Sequence, residues 1–302
     1  MSAIKNVVIA GATGALGSVL AKQVIDSGLF NVTIFKRVGS TSTTAAFPDS
    51  VKVVEVDYTS VEGLQAALAG QDAVVSTLAT LAVDTQKPLI DAAAAAGVKR
   101  FLPSEFGCVI ENPNAAAIPI FAGKVAVEEY LKEKAKTTEL SYTFVYTSAF
   151  LDWGIQNNFI IDLTNPTPRI INDGNLPFSS TSLSTIGDAV VGVLTHPEET
   201  KNRSVKVQDV QITQNKLLAL AAKAYPEKKW EPVSANLDDL YTAALGNLSK
   251  GVVDHEVIFS CLYRGLLTPE YGCNFVENDN ELLGVKPKGE DFIIETIKAH
   301  LK

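Results

Sequence analysis

The chain has 302 residues, 46% of them hydrophobic and 20% charged, with a net charge of −8. That length can bury the core of one large domain or two smaller ones, and the composition is that of an ordinary globular protein rather than a disordered or fibrous one. The acidic balance excludes an electrostatic nucleic-acid footprint, and apolar stretches such as Ala92 to Ala96 are far too short to span a bilayer.

The first predicted element is a strand over about residues 4–9, which passes through Gly11-Ala12-Thr13-Gly14-Ala15-Leu16-Gly17 into a helix over about 15–28. Gly11 permits a tight turn, Gly14 removes the side chain that would block a phosphate, and Gly17 lets the helix pack close to the strand. The helix N-terminus offers free N–H groups and a positive dipole end. Gly11, Thr13, Gly14, Ala15, Leu16 and Gly17 are therefore read as a pyrophosphate cradle. A strand so near Met1 leaves no room for a signal peptide before it.

The second strand, over about 31–36, ends in Lys36-Arg37, about 20 residues beyond Gly17. An NAD site carries an acid near this point for the ribose 2′-hydroxyl, whereas a guanidinium attracts the 2′-phosphate that an acid repels. Lys36 and Arg37 thus point to NADP(H), with Ser40, Thr41 and Ser42 as further hydroxyl donors. Asp57, after the third strand, is either a neighbour of the adenine or a helix N-cap.

Strands over about 51–56, 72–77, 99–102 and 141–147 alternate with helices over about 60–69, 84–97 and 120–136. This rhythm predicts an α/β fold, a Rossmann-type doubly wound parallel sheet with right-handed crossovers. It breaks after about Phe150. Turn signals at Asn165-Pro166-Thr167-Pro168 and Asn172-Asp173-Gly174-Asn175 flank a short strand, Arg169-Ile170-Ile171. A helix from Ile186 to Leu194, a strand from Ser204 to Val210 and a helix from Lys216 to Ala224 follow. The predicted division is a cofactor-binding domain over 1–150 and a smaller mixed α/β substrate lobe over 151–302, with about 180–210 returning to the sheet.

Ligands of open α/β sheets sit beyond the carboxyl ends of the strands. The candidates there are Thr77 and Leu78, Ser104 and Phe106, and Ser148 and Phe150. A proton handler is needed beside a hydride donor, and two lysines compete for the role. Tyr130 and Lys134 form a Tyr-x-x-x-Lys pair, but Tyr130 lies about 15 Å along its helix from the cofactor edge. Lys124 stands in the first turns of that helix among Phe121, Ala122, Val125 and Val127, a setting that suits a general acid. Cys108, Cys261 and Cys273 have no metal or disulfide spacing, and His196, His255 and His300 are far apart, so a metal-free protein of the reducing cytoplasm is expected.

Gly11-x-x-Gly14-x-x-Gly17, Arg37, Arg100-Phe101-Leu102-Pro103-Ser104-Glu105-Phe106-Gly107 and the helix carrying Lys124 together resemble the isoflavone reductase-like and phenylcoumaran benzylic ether reductase group of NmrA-like atypical short-chain dehydrogenases. The resemblance covers about the first 150 residues and continues weakly to about 210. It implies an NADP-binding Rossmann domain with a smaller substrate lobe, a lysine at 124 acting as catalytic acid/base, and Ile120 where ordinary short-chain dehydrogenases carry tyrosine. The chain departs from the group at Glu128 and Glu129, where the plant enzymes often have a basic pair, and Trp153, Phe159 and Phe178 receive no role.

The expected function is an NADPH-dependent reductase of a small aromatic or conjugated substrate (C=C, C=O or C=N), as a monomer or homodimer with no nucleic-acid or membrane partner. Lys124 is its acid/base; Thr77, Leu78, Ser104 and Phe106 border the nicotinamide, and Lys124, Ser148 and Phe150 are further cofactor-binding residues. The alternatives are a non-catalytic NADP sensor that binds a regulatory protein, and a nucleotide-sugar epimerase or dehydratase, which would need Tyr130 and Lys134 at the cofactor edge.

Overall fold

The computed structural model describes residues 3–302. The first half of the chain runs β1 (Asn6–Ala10), α1 (Ala15–Asp26), β2 (Asn31–Arg37), β3 (Lys52–Val56), α2 (Val61–Ala67), β4 (Ala73–Ser76), α3 (Gln86–Ala95), β5 (Arg100–Leu102), α4 (Pro113–Ala116), α5 (Ala122–Thr137) and β6 (Ser141–Tyr146). Beyond it lie β7 (Ala149–Phe150), α6 (Leu151–Gln156), β8 (Arg169–Ile171), β9 (Phe178–Thr181), α7 (Leu183–Thr195), β10 (Arg203–Lys206), β11 (Val210–Ile212), α8 (Gln214–Ala224), β12 (Val233–Ala235), α9 (Leu237–Leu248), α10 (His255–Leu266) and α11 (Glu290–His300).

Seven strands form one parallel sheet in the order β10-β6-β5-β4-β1-β2-β3. Its centre is apolar on both sides: Val7, Val8, Ile9 and Ala10 of β1 are wholly buried, as a doubly covered parallel strand requires. Alternate residues divide between two cores. Val8, Val74, Phe101 and Phe144 meet Leu64, Leu89, Val127 and Leu131 from α2, α3 and α5. Val7, Ile9, Val75 and Val145 meet Leu20 and Val24 of α1 and Ile186, Val190 and Val193 of α7. The sheet is thus a Rossmann-like sheet flanked by helices, and the chain reverses its direction of winding between β1 and β4, where the carboxyl ends open a crevice.

Two charges, one half-buried and one buried, pin the strands. Asp72 accepts hydrogen bonds from the backbone N–H groups of Lys5 (3.0 Å) and Asn6 (2.9 Å) and from Lys99 Nζ (2.7 Å), tying β1, β4 and β5 together at their amino ends. Arg100, with no exposed surface, donates to the hydroxyls of Ser141 (2.9 Å), Thr143 (2.8 Å) and Thr200 (2.9 Å) and to the Pro197 carbonyl. It thereby fixes β5 and β6 to the segment that leads into β10.

The smaller part is mixed. β9 lies between β11, antiparallel to it, and β7, parallel to it, while β12 and β8 form a separate parallel pair. The single strand expected over Ser204 to Val210 is in fact two, β10 in the large sheet and β11 in the small one. The chain turns between them at Asp209, whose carboxylate accepts from Ser182 N (2.6 Å), Thr185 Oγ1 (2.8 Å) and Lys288 N (2.7 Å). The three helices α9 to α11 lie beyond the last element read from the sequence. Among the described residues, no helix is long and apolar enough to cross a membrane.

Candidate functional site

The glycine turn sits at the mouth of the β1/β4 crevice. Gly11 has φ +86°, a left-handed conformation that favours glycine, and a Cβ on it would lie 2.7 Å from the Thr77 carbonyl oxygen. A Cβ on Gly17 would strike the Gly11 carbonyl and come within 2.6 Å of Thr77 Oγ1. Thr77 is itself held, its N–H and hydroxyl both donating to the Ala10 carbonyl (2.8 and 2.9 Å). These two glycines are therefore required by the protein's own packing. Gly14 is different: a Cβ there would meet only the Gly11 carbonyl oxygen, at 3.5 Å. Nothing in the chain demands a glycine at 14, so the space it leaves is available to a ligand. Thr13, Gly14 and Ala15 are exposed, and Gly14 supplies no side chain to cap α1, which leaves the N-terminal N–H groups of the helix without a side-chain acceptor. The cradle fits a pyrophosphate.

At the end of β2, Arg37 is exposed and its charge acts on the buried phenol of Tyr58, whose ionisation burial strongly opposes. Lys36 instead pairs with Glu55 of the neighbouring strand at 3.3 Å. Asp57 does not cap α2. Its carboxylate accepts from Thr59 N (2.9 Å) and Thr59 Oγ1 (2.7 Å), while Ser60 is the N-cap, accepting from Gly63 N at 3.1 Å.

The loops after β5 and β6 lean on each other. Phe106 N–H donates to the Val145 carbonyl and Ser148 N–H to the Gly107 carbonyl, each at 3.0 Å, and both Phe106 (φ +36°) and Ser148 (φ +54°) are left-handed. Non-glycine residues adopt that region at a cost of about 1–2 kcal/mol each, and strain of this kind gathers at functional edges. Ser104 is bound from two sides, its N–H to Gln86 Oε1 (2.8 Å) and its hydroxyl to the Leu78 carbonyl (2.7 Å), so the loop after β5 is tied both to α3 and to the loop after β4. Phe106 is buried, and the Ser148 hydroxyl donates to the Cys273 carbonyl at 3.0 Å. Phe150 and Leu78 are half-buried. Trp153 stands edge-on to Phe150 at 6.4 Å and 6.3 Å from Phe159, which stacks on Tyr263 at 5.3 Å, so a row of aromatic rings runs from the half-buried β7 end to the buried Phe159 and Tyr263. Phe178 is plain core.

Lys124, half-buried in the second turn of the helical segment that starts at Pro119, donates from Nζ to the Glu105 carbonyl, which brings the α5 lysine to the loop after β5. Glu105 is 2% exposed and its carboxyl Oε1 has no hydrogen-bond partner; burial pushes its pKa up to about 8, against the pull of the Lys124 charge. One helical turn on, Glu128 is 3% exposed, accepts from the Tyr146 hydroxyl at 2.5 Å, and is raised to about 7 by burial. Neither acid was singled out as a site residue from the sequence. The signal available was the i, i+4 spacing of Lys124 and Glu128, which places them on one face of α5.

Tyr130 and Lys134 do not join this group. The Tyr130 hydroxyl donates to Asp91 Oδ1 at 2.6 Å and Lys134 Nζ lies 2.5 Å from the same oxygen, so both are committed to α3.

The sequence model described as NmrA-like family matches residues 3–239. The chain belongs to the NmrA-like family. Among the relatives of this NmrA-like chain, "Oxidoreductase aprR" of Aspergillus flavus is 34% identical over 97% of this chain and 98% of its own. An isoflavone reductase of Pisum sativum is 26% identical over 81% of this chain and 84% of its own. Among solved structures, the binary complex of leucoanthocyanidin reductase with NADPH from Vitis vinifera superposes with a TM-score of 0.79 at 23% identity, covering 97% of this chain and 99% of that one. The fold of this NmrA-like chain is therefore that of known reductases.

Proposed function

We propose that this protein is an NADPH-dependent reductase of a small aromatic or conjugated substrate, with Lys124 as its general acid/base. The carrying observation is the Lys124 ammonium held at the loop after β5, on the same carboxyl edge as a glycine cradle whose central position is open to a ligand. Family membership, an oxidoreductase relative over nearly the whole chain and reductase neighbours in fold support this reading.

The first turn of α1 and the Gly11–Gly17 backbone would hold the pyrophosphate, and Arg37 would pair with the 2′-phosphate. Bound NADPH supplies the hydride. Lys124 Nζ holds the proton that the reduced substrate needs, oriented by its bond to the Glu105 carbonyl. The strained Phe106 and Ser148 loops set the rim of the site, and the Phe150–Trp153–Phe159 row excludes water and favours a flat, apolar substrate.

The test is NADPH and NADH binding by fluorescence together with NADPH consumption on a panel of enones, quinones and imines. Wild type should prefer NADPH and turn over at least one acceptor. Lys124→Ala should lower kcat about 10²–10⁴-fold with NADPH affinity kept. Undiminished turnover in Lys124→Ala removes the lysine from the mechanism; tight NADPH binding without any turnover removes the enzyme reading.

A further inference from the structure

The Lys124 face of α5 continues inward and then outward again as a line of ionisable groups through an otherwise apolar layer. Lys124 Nζ is bonded to the backbone carbonyl of Glu105, whose own carboxyl is buried and has an unpartnered oxygen. At one turn along α5 is Glu128, buried and bonded to Tyr146 of β6. At two turns is Lys132, 3.4 Å from Glu128 Oε2 and 3.7 Å from Glu111 Oε1. Glu111 reaches the surface, where its other oxygen accepts from Ser204 Oγ at 2.7 Å. The charges that act on Glu105 are those of Lys124, Glu128, Lys132 and Glu111, and Glu105 in turn acts on Tyr146. Core positions between a sheet and a helix are normally apolar, and a buried carboxyl without a partner is expensive there. A buried carboxyl with an unpartnered oxygen beside the Lys124 loop, and a second buried acid bonded to Tyr146 and paired with Lys132, call for a reason beyond packing.

We propose that Glu105, Tyr146 and Glu128 are a proton supply that re-arms Lys124 from the outer side of α5 while cofactor and substrate cover its front. The inference rests on the reading of Lys124 given above. Each turnover breaks one Lys124 N–H bond and forms one bond from that proton to the substrate. The Glu105 carboxyl, which makes no ion pair with Lys124 at rest, then turns to give its proton to the neutral amine and becomes a carboxylate. Its unpartnered oxygen lets the carboxyl turn toward Tyr146; the Tyr146 hydroxyl, which donates to Glu128 at rest, swings to pass its proton to Glu105 and takes the proton of Glu128 in its place. Water beside Lys132 and Glu111 returns a proton to Glu128, so the line takes up one solvent proton per cycle and ends as it began. Burial raises Glu105 to about 8 and Glu128 to about 7, so near neutral pH Glu105 is mostly protonated and Glu128 is poised between its two forms, as a store and its refill require. Glu105 and Glu128 act through Lys124 and are positioning and supply residues, not catalytic ones.

The test has two arms on the full chain. Infrared pH titration of the carboxylic C=O stretch should show protonated carboxyls at neutral pH in wild type, one band lost in Glu105→Gln and another in Glu128→Gln. In Lys124→Ala the Glu105 band should persist to higher pH, because the cation that pulls on it is gone. In the second arm, with NADPH and 1,4-naphthoquinone as probe, Glu105→Gln and Tyr146→Phe should complete a first turnover at the wild-type rate and then slow at least about 10-fold, with added imidazole restoring the steady-state rate. A merely structural role would be insensitive to imidazole. Absence of protonated carboxyls at neutral pH, an unmoved Glu105 band in Lys124→Ala, or steady-state turnover of Glu105→Gln equal to wild type overturns the supply. Full turnover in Lys124→Ala, or no turnover by wild type, overturns the reading of the lysine instead, and the infrared arm still decides whether Glu105 is a proton store coupled to it.

Discussion

Gly14 and Gly17 look alike in the sequence and do different work. Gly17 is needed because the Gly11 carbonyl and Thr77 Oγ1 occupy the space of a Cβ, whereas Gly14 keeps clear a space that no protein atom fills. Gly17→Ala should therefore overpack the turn and destabilise the fold by about 1–3 kcal/mol. Gly14→Ala, at φ −78° and ψ 173°, should melt within about 0.5 kcal/mol of wild type yet bind NADPH at least about 10-fold more weakly. Thermal melts without cofactor and a fluorescence titration with NADPH separate the two; equal melting points for both variants would refute the distinction. The cradle was legible in the sequence because a positive φ and a close backbone approach leave a local mark. Glu105 and Glu128 were not, because their burial depends on which helix face the sheet covers. Glu128, beside Glu129, reads in sequence as part of a solvated acidic pair.

At the scale of elements, the sheet depends on contacts that no local pattern announces. Strands β1 to β6 could be read because each is a short run rich in apolar residues, and β1, β3, β4 and β5 lead on to helices. β7, β9 and β11, of two to four residues, pair across long separations and carry no periodicity of their own. The split of Ser204 to Val210 into two strands is set by Asp209, a tertiary junction. Arg100 is the other such device: its hydrogen bonds to Ser141, Thr143, Thr200 and the Pro197 carbonyl hold the edge where β10 enters, and burial lowers its pKa to about 10. Arg100→Met leaves those groups without their donor and should lower stability by about 2–5 kcal/mol. Hydrogen exchange should accelerate first in residues 197–206. Unchanged protection there would show that Arg100 does not hold the edge.

For the whole molecule, the two buried acids set a pH dependence of stability. Glu105 and Glu128 have an ordinary value of 4.5 and are raised to about 8 and about 7 in the fold. The folded chain thus holds protons that the unfolded chain has released, and folding takes them up. Their contribution is complete below about 4.5 and is lost as pH rises through about 7 and then about 8. The melting temperature should fall across that window, and Glu105→Gln with Glu128→Gln should flatten the fall. A double variant that retains the wild-type slope would assign it to other groups.

The place of β10 has a consequence for synthesis. A nascent chain that has emerged as far as Phe150 carries every residue of the glycine cradle, Arg37 and Lys124, but β6 still presents an unpaired edge and α1 still lacks the cover of α7. The edge closes only when Arg203–Lys206 arrives, and it is latched later still, by Asp279, which accepts from the Lys206 N–H at 2.8 Å and pairs with Arg203. An open parallel edge invites pairing with other chains. Ribosome stalling or truncation between about residues 150 and 203 should therefore yield chains that aggregate through β6 rather than a small working cofactor domain, and demand on chaperones should be greatest in that interval.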